Sequence, residues 1–226
     1  MGWPEFLFFM SCPENEKPIR SFLQRPDKLN LPLDVDLLEQ IVIRARRLLL
    51  PSLNSLFERA LLAHILIHNN IPGLVDWAKK YFVLEKILPG LTWQAIEQGK
   101  WGRVLIPVTG SDGARIICLI AGVTDVSFSL ICPDWAREIF SLKSINTLEQ
   151  TIDMILTRTG SDKSVYIFPL LEHGARIEGG SFALGLALGL LSLIKGEQIY
   201  QNFVATGNLR LCDGAIYVDD VGGREE

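Results

Sequence analysis

The residues with the clearest chemical potential lie in a glycine-rich turn, Glu178-Gly179-Gly180-Ser181, which comes directly before a long apolar run. A serine at the point where a tight turn enters a helix can expose its hydroxyl beside backbone N–H groups that have no partner within the helix. Such N–H groups can hold the negative charge that develops on a carbonyl oxygen under attack. The pattern therefore indicates Ser181 as a candidate nucleophile, in a turn whose glycines let the backbone approach a substrate closely.

Apolar segments on both sides of this turn must position it. Residues 165–169 predict a strand that ends at Pro169, and residues 182–194 predict a buried helix. The residues after this helix then predict a pair of strands that ends in Gly222-Gly223. The candidate nucleophile is thus expected between a strand and a helix that both belong to the core.

The remainder of the chain changes its hydrophobic period close to Lys100. Before this point, residues 1–30 predict an extended arm with one short strand at residues 6–10. Apolar residues at three- and four-residue steps then predict amphipathic helices. These helices are expected over residues 34–49, 53–68, 73–88 and 92–98.

After Lys100 the pattern is typical of strands, joined by a glycine-containing hairpin loop at residues 109–113. Strands are predicted over residues 103–108, 115–123 and 127–132, and a helix over residues 147–159. We therefore expect an α+β (α/β) fold. Residues 1–99 would form an N-terminal arm and helical region, and residues 100–226 a second domain.

Composition excludes several classes of protein. The net charge of −4 argues against a nucleic-acid surface. The four cysteines are scattered without a Cys-x-x-Cys pair, which favours reduced thiols in a cytoplasmic protein over disulfides or a zinc site. The N-terminus lacks the basic start of a signal peptide, and the longest apolar run is too short to cross a bilayer. We expect no cofactor and no membrane partner.

His64 and His68 are four residues apart, a spacing that can place two imidazoles on one metal ion. The sequence contains no third ligand at a spacing that would complete a metal site. We interpret the two histidines as structural or surface residues, and we expect no metal site.

Residues 165–223 resemble the proteolytic domain of Lon-type serine proteases, which has a ribosomal-protein-S5-domain-2-like fold. The resemblance depends on the order of several short blocks rather than on one motif. These blocks are the strand that closes at Pro169, the serine turn Gly179-Gly180-Ser181, the small-residue helix at 183–189, Val204-Ala205-Thr206-Gly207, the hairpin at 211–218, and Val221-Gly222-Gly223.

This resemblance implies a serine endopeptidase that uses a Ser-Lys dyad. Ser181 would be the nucleophile, and the Thr206 hydroxyl would help to place the lysine. Gly179 and Gly180 would contact the substrate, together with Glu178 and His173. The substrate would be an extended protein or peptide segment laid against a sheet edge. The family also commonly forms rings, and no Walker-type motif is present here, so an ATPase module would lie on another chain or stretch.

One part of the family pattern is missing from these residues. A serine needs a base, and a lysine serves only when burial lowers its pKa. In the family this lysine follows the Gly-Gly pair, which here points just beyond residue 226. Arg224 cannot serve because a guanidinium keeps its proton, and Lys195 lies about 20 Å along the helix from Ser181. We therefore expect the chain to be a fragment that lacks the C-terminal part of the fold.

Three alternatives remain open at this stage. The chain could be a Lon-like interaction or regulatory module without catalysis. It could also be a nucleotide-binding domain of the small-molecule kinase type, although Phe182 is bulky beside a phosphate. For Ser181 itself, the structural alternative is a helix N-cap, a position that serine favours.

Overall fold

An antiparallel sheet of three strands lies between two layers of helices, so most of its described residues are buried, on both faces. The computed structural model describes residues 3, 6, 9–10, 13–24, 32–110, 113–127, 131–171, 176–197, 204–212 and 215–219. The strands lie in the order β1-β2-β3, and both neighbouring pairs are antiparallel. They are β1 (Lys100–Gly110), β2 (Gly113–Thr124) and β3 (Ser164–Pro169).

Nine α-helices have both ends in the part of the chain that the structure describes, together with a 3-10 helix at Pro13–Asn15, and six of the nine precede the sheet. The first six are α1 (Glu16–Leu23), α2 (Val35–Leu48), α3 (Pro51–Ile67), α4 (Leu74–Tyr81), α5 (Leu84–Ile87) and α6 (Trp93–Gln98). The last three are α7 (Asp134–Ile139), α8 (Leu142–Thr159) and α9 (Ala183–Lys195). With the sheet, they give an α+β protein.

Alternate residues of the strands face different layers, as the period of two requires. Cys118 and Ile120 of β2 join the core shared with the N-terminal helices. Leu119 and Ala121 join the core on the other face, together with α8 and α9. The N-terminal helices and the sheet thus share one core, while the boundary predicted at residue 99 stays a prediction.

Polar contacts also join the helical layer to the sheet. The Tyr166 hydroxyl on β3 donates to the Pro89 carbonyl at 2.7 Å. The Trp135 indole on α7 donates to the Ile87 carbonyl at 2.9 Å. Both bonds satisfy carbonyl oxygens at or just beyond the end of α5, where the helix supplies no N–H partner.

The last two strands form a separate hairpin after α9. β4 (Asn208–Cys212) pairs with β5 (Ala215–Asp219) in an antiparallel ladder. Just before β4, Val204 makes a parallel bridge with Leu105 of β1. The segment that leads into the hairpin therefore runs along the edge of the central sheet.

Helix α9 packs unusually close to this edge because two of its residues have no side chain. A Cβ atom on Gly185 would lie 2.9 Å from the Ala205 carbonyl oxygen, and one on Gly189 would lie 2.4 Å from a methyl group of Val104. Both distances are too short for a carbon atom. The small-residue pattern of α9 is thus explained by close packing on β1 and on the segment before β4.

Most of the predicted elements are confirmed. The Asp34 carboxylate accepts from the Leu37 N–H and begins α2, and the Thr92 hydroxyl accepts from the Ala95 N–H and begins α6. The strands predicted at residues 103–108, 115–123 and 165–169 all lie within β1, β2 and β3.

The prediction of an extended arm over residues 1–30 is wrong. Trp3, Phe6 and Phe9 have helical backbone, and α1 follows. Trp3, Phe6 and Met10 are buried, and the Phe6 ring stacks on Phe22 and Phe57. These residues recur at three- and four-residue steps, which place them on one helical face and which the prolines in this region obscured.

Three element boundaries also differ from the predictions. The helix expected at 73–88 is two helices, because Phe82 and Val83 are extended; β-branched and aromatic residues favour such a break. The helix expected from residue 147 is α8, which begins at Leu142 because Ser141 caps it. In the strand expected at 127–132, Ser127, Ile131 and Cys132 are not in a strand, and residues 128–130 lie outside the described residues.

Cys118 and Cys132 are buried free thiols, and burial raises the pKa of Cys118 to about 12. In the described residues, none of the helices combines the length and the apolar character needed to span a bilayer.

His64 is fully buried in α3, where its Nε2 accepts from the Leu33 N–H at 3.3 Å. Burial and the neighbouring His68 lower the pKa of His64 to about 3. Groups of three or more metal-ligating side chains are absent among the described residues, which leaves the histidine pair without the third ligand of a metal site. His64 is therefore a neutral core residue.

This buried histidine predicts a loss of stability in acid. The unfolded chain binds a proton on His64 below about pH 6.5, whereas the folded chain does so only near pH 3. The free energy of unfolding should therefore fall by about 1.4 kcal/mol for each pH unit over this range from His64 alone. Urea unfolding from pH 7 to pH 4 should show this slope in wild type and lose it in His64→Gln. His68→Gln, a change on the same helix, should keep the slope, and an equal slope in all three proteins would contradict the explanation.

The close packing of α9 predicts that Gly185→Ala destabilises the fold. Helix propensity alone favours alanine by about 1 kcal/mol, but the new Cβ meets a backbone oxygen that cannot rotate away. We expect a net loss of about 1–2 kcal/mol in urea unfolding. Gly189→Ala offers a matched control because its obstacle is the Val104 side chain. Val104→Ala should partly rescue Gly189→Ala and leave Gly185→Ala unrescued.

Candidate functional site

The turn that carries Ser181 is fixed from the α8 side by Ser144. This side chain is fully buried, and its hydroxyl lies 2.9 Å from the Ile177 carbonyl oxygen and 2.8 Å from that of Gly179. The Ser141 N–H also donates to the Ile177 carbonyl at 2.9 Å. The first turn of α8 thus holds the chain just before the serine.

Gly179 and Gly180 are required in the turn for different structural reasons. Gly179 has a φ of 81°, a left-handed conformation that favours glycine. Gly180 is buried, and a Cβ there would lie 2.8 Å from the Asn208 side-chain oxygen and 2.9 Å from the Thr147 hydroxyl. Their predicted role in substrate contact stays a prediction, while their role in the turn is explained by the backbone and its neighbours.

The structure brings Ser181 and Thr206 together, although 25 residues separate them. The Ser181 carbonyl accepts from the Thr206 hydroxyl at 3.1 Å and from the Gly207 N–H at 2.7 Å. In return, the Gly207 carbonyl accepts from the Leu184 N–H at 3.0 Å. The two sequence motifs are therefore joined through the backbone on both sides of Ser181.

The hydroxyl of Ser181 has no role in these contacts. Helix α9 begins at Ala183, and its N-cap is Phe182, with no side-chain hydrogen bond to the helix. The structural alternative for Ser181, a helix N-cap, is therefore wrong. Ser181 is half-buried, and within the described residues its hydroxyl has no hydrogen-bond partner.

The N–H groups at the start of α9 are only partly available. Those of Ala183 and Leu184 donate to the carbonyls of Gly180 and Gly207. Those of Ser181 and Phe182 have no acceptor in the part of the chain that the structure describes. Of the four N–H groups from Ser181 to Leu184, two therefore remain without an acceptor among the described residues.

None of the described lysines is buried. Lys195 is exposed at the last residue of α9, at the other end of the helix from Ser181. A base made by burial of an ammonium group is therefore absent from the described residues. The Gly-Gly pair, Arg224 and the rest of 220–226 lie outside them.

The two other predicted contact residues add little to this site. Glu178 is exposed and lies 3.5 Å from the Arg176 guanidinium, in an ion pair open to solvent. Exposed pairs of this kind contribute little to stability. His173 lies outside the described residues, so its predicted contact is untested.

A groove beside this turn was not predicted from the sequence. It has a volume of about 590 Å³ and lies between α8 and β4, with Gly180 in its wall. The available signal was a polar stripe on α8, because the polar residues 143, 147, 150 and 158 lie on one helical face. The lining residues are Lys143, Thr147, Gln150, Thr151, Asp153, Met154, Thr157, Arg158, Gly180, Asn208, Leu209 and Arg210.

Two comparisons of the sequence with known proteins found no match. No model of a protein family matches the chain, and no curated protein matches it either. Function must therefore be argued from the contacts of Ser181 and from the groove next to it.

The bond from Thr206 to the Ser181 carbonyl predicts a measurable effect. Thr206→Val keeps the shape of the side chain and removes the donor, which should lower the free energy of unfolding by about 1 kcal/mol. Thr206→Ser keeps a hydroxyl and should lose less. Urea unfolding measures both changes, and equal losses would indicate that packing, rather than the hydrogen bond, accounts for Thr206.

Proposed function

We propose that residues 100–226 belong to a Lon-like serine peptidase domain in which Ser181 is the nucleophile. The observation that carries this proposal is the state of the Ser181 hydroxyl. The backbone around it is held by Gly207, Thr206 and Ser144, yet within the described residues the hydroxyl itself stabilises nothing. A polar group that is held in place without a structural partner is a candidate for chemistry.

The proposed reaction is the hydrolysis of a peptide bond through an acyl-enzyme. The Ser181 oxygen would attack the carbonyl carbon while its proton passes to a lysine base beyond residue 226. The N–H groups of Ser181 and Phe182 would stabilise the oxyanion, since they have no acceptor among the described residues. The amine would then leave with a proton, and water would release the acyl group in a second attack.

Thr206 would act as a positioning residue in this reaction. Its hydroxyl donates to the carbonyl of Ser181, which restricts the backbone at the nucleophile. Small displacements of a nucleophile are costly, because reacting atoms must approach within about 3–3.5 Å in a defined direction. The further role suggested by the resemblance, placement of the lysine, is part of the same proposal.

A non-catalytic Lon-like module is the second candidate function. It is favoured by the lysines, all of which are exposed or half-buried where the structure describes them. In this case the groove beside Gly180 would bind a partner polypeptide without cutting it. The kinase alternative is less well supported, because the N–H groups of Ala183 and Leu184 are already engaged and cannot hold a phosphate.

The wider setting follows from the same proposal. The ligand would be a protein or peptide segment, an ATPase module on another chain or stretch would deliver it, and the domain would assemble into an oligomer. The buried free thiols of Cys118 and Cys132 support a reducing compartment, the cytoplasm.

The peptidase proposal predicts that cleavage depends on the Ser181 hydroxyl. The intact gene product should cleave fluorescently labelled, unfolded casein, and Ser181→Ala should lower the rate about a thousandfold or more. Ser192→Ala, which removes a hydroxyl from the same helix, should keep the rate. Thermal unfolding should show that all three proteins are folded.

Two outcomes would contradict this function. If wild type and Ser181→Ala cleave at the same rate, another residue is the nucleophile. If neither protein cleaves while both bind unfolded casein with the same affinity, the domain is the non-catalytic module.

A further inference from the structure

We propose that the exposed side of α2 is a docking surface for an acidic, amphipathic helix of a partner protein. This surface consists of Gln40, Ile43, Arg44, Arg47 and Leu48, and we call it the α2 face. The inference does not depend on the proposed function. Helix α2 packs on one face of the central sheet, and α8 and α9 pack on the other, so a docked partner would leave the serine turn uncovered.

The first observation is that both sides of α2 follow a helical spacing. The buried side meets the core through four apolar residues, Leu38, Ile41, Val42 and Ala45. The α2 face has the same spacing at residues 40, 43, 44 and 47, and Leu48 extends it by one turn from residue 44. All five of its residues are exposed. The α2 face is therefore one continuous surface, about 12 Å long.

The second observation is that this solvent-facing surface carries large apolar side chains. Ile43 and Leu48 keep 43% and 40% of their surface exposed. They are separated by Arg44 and Arg47, whose aliphatic stems add apolar area of their own. Single exposed apolar residues are ordinary, whereas several on one surface are typical of an interaction site.

The third observation is that the arginines of the α2 face are not neutralised. Within the described residues, neither Arg44 nor Arg47 makes an ion pair or a side-chain hydrogen bond. Among the carboxylates of α2, Glu39 accepts from the Tyr81 hydroxyl, and Asp36 lies about 12 Å from Arg44 along the helix axis. The chain as a whole has a net charge of −4, so this cationic surface is a local exception.

The position of these arginines near the end of α2 explains only part of the pattern. Cationic side chains are favourable at a helix C-terminus, because the last carbonyl groups carry partial negative charge. This effect gives no reason for Ile43 and Leu48 to be apolar, since both point away from the core. A binding surface accounts for both features, because apolar contact and guanidinium donors are what protein interfaces use together.

The arrangement of the α2 face selects the chemistry of its partner. A guanidinium group binds a carboxylate through two parallel hydrogen bonds, so Arg44 and Arg47 suit Glu or Asp. Ile43 lies one turn before Arg47, and Arg44 lies one turn before Leu48, so apolar and cationic positions alternate. A second helix beside α2 presents its side chains at the same repeat, and they fit between those of α2.

The complementary partner helix therefore places apolar residues against Ile43 and Leu48 and carboxylates against the two arginines. Its contact with the α2 face is smaller than a standard protein interface. We expect a dissociation constant on the order of micromolar, which is typical of a transient interaction.

Three fluorescently labelled peptides of about 18 residues, or five helical turns, test this inference. The first is an amphipathic helix with Leu on one face and Glu on both flanks. The second has the same composition, in an order that distributes Leu around the helix. The third replaces each Glu of the first by Lys. Fluorescence anisotropy should be measured on the intact Ser181→Ala protein, so that cleavage cannot lower the signal.

We expect the first peptide to bind about tenfold more tightly than either of the others, because it alone combines carboxylates with an apolar face. The double variant Arg44→Glu/Arg47→Glu should weaken its binding about tenfold or more. Lys143→Glu/Lys195→Glu makes the same change in net charge at exposed residues of α8 and α9, and it should leave the binding unchanged.

The apolar part of the surface has its own pair of variants. Ile43→Ser/Leu48→Ser should weaken the binding of the first peptide about fivefold or more, because it removes the apolar contact and keeps both arginines. Ile116→Ser/Leu142→Ser changes two residues that are exposed elsewhere on the protein, and it should have no effect. Thermal unfolding should show that every variant is folded.

Four results would overturn the inference. The first is an absence of binding by the amphipathic acidic peptide, and the second is equal binding of the two acidic peptides, which would reduce the effect to charge alone. The third is an equal effect of the two charge-reversal variants, which would make net charge responsible. The fourth is cosedimentation with phosphatidylserine–phosphatidylcholine vesicles that requires Arg44 and Arg47 and is not displaced by the acidic peptide, which would indicate a membrane-binding surface.

Discussion

The close approach of α9 to the edge of the central sheet is the constraint on which the site depends. Gly185 lets the helix backbone come within contact distance of the Ala205 carbonyl, so the segment before β4 lies against the helix start. Only at this separation can the Gly207 N–H and the Thr206 hydroxyl reach the Ser181 carbonyl. A side chain at residue 185 would move the helix and the segment apart, and with them Ser181 and the two groups that donate to its carbonyl.

This arrangement stabilises the turn through backbone groups and leaves the serine side chain unused. Ser144, Thr206 and Gly207 bond to carbonyl oxygens of the turn rather than to the Ser181 hydroxyl. Buried carbonyls that lack partners are costly, so these bonds are required by the fold itself. A change in the bonding of the hydroxyl would therefore leave intact the contacts that hold the backbone of Ser181.

Local signals in the sequence were sufficient for much of the fold, because they act within one turn of chain. The caps Asp34 and Thr92 and the alternation along β2 are of this kind, and so is the glycine turn before Ser181. The helical backbone at Trp3 and Phe6 was missed because it is stabilised by packing on Phe22 and Phe57, which are distant in sequence. The groove was missed for the same reason, since its walls belong to α8 and β4 and only the tertiary fold places them side by side.

The groove and the serine turn are also linked mechanically. β4 begins at Asn208, directly after Gly207, whose N–H holds the Ser181 carbonyl. Asn208 lies against Gly180 from the other side. A ligand in the groove would contact Asn208 and Gly180, which are the chain neighbours of Gly207 and Ser181. By linkage, a ligand that orders this turn binds more tightly to a protein in which the turn is already ordered. Occupancy of the groove and the backbone geometry at Ser181 are thus expected to change together.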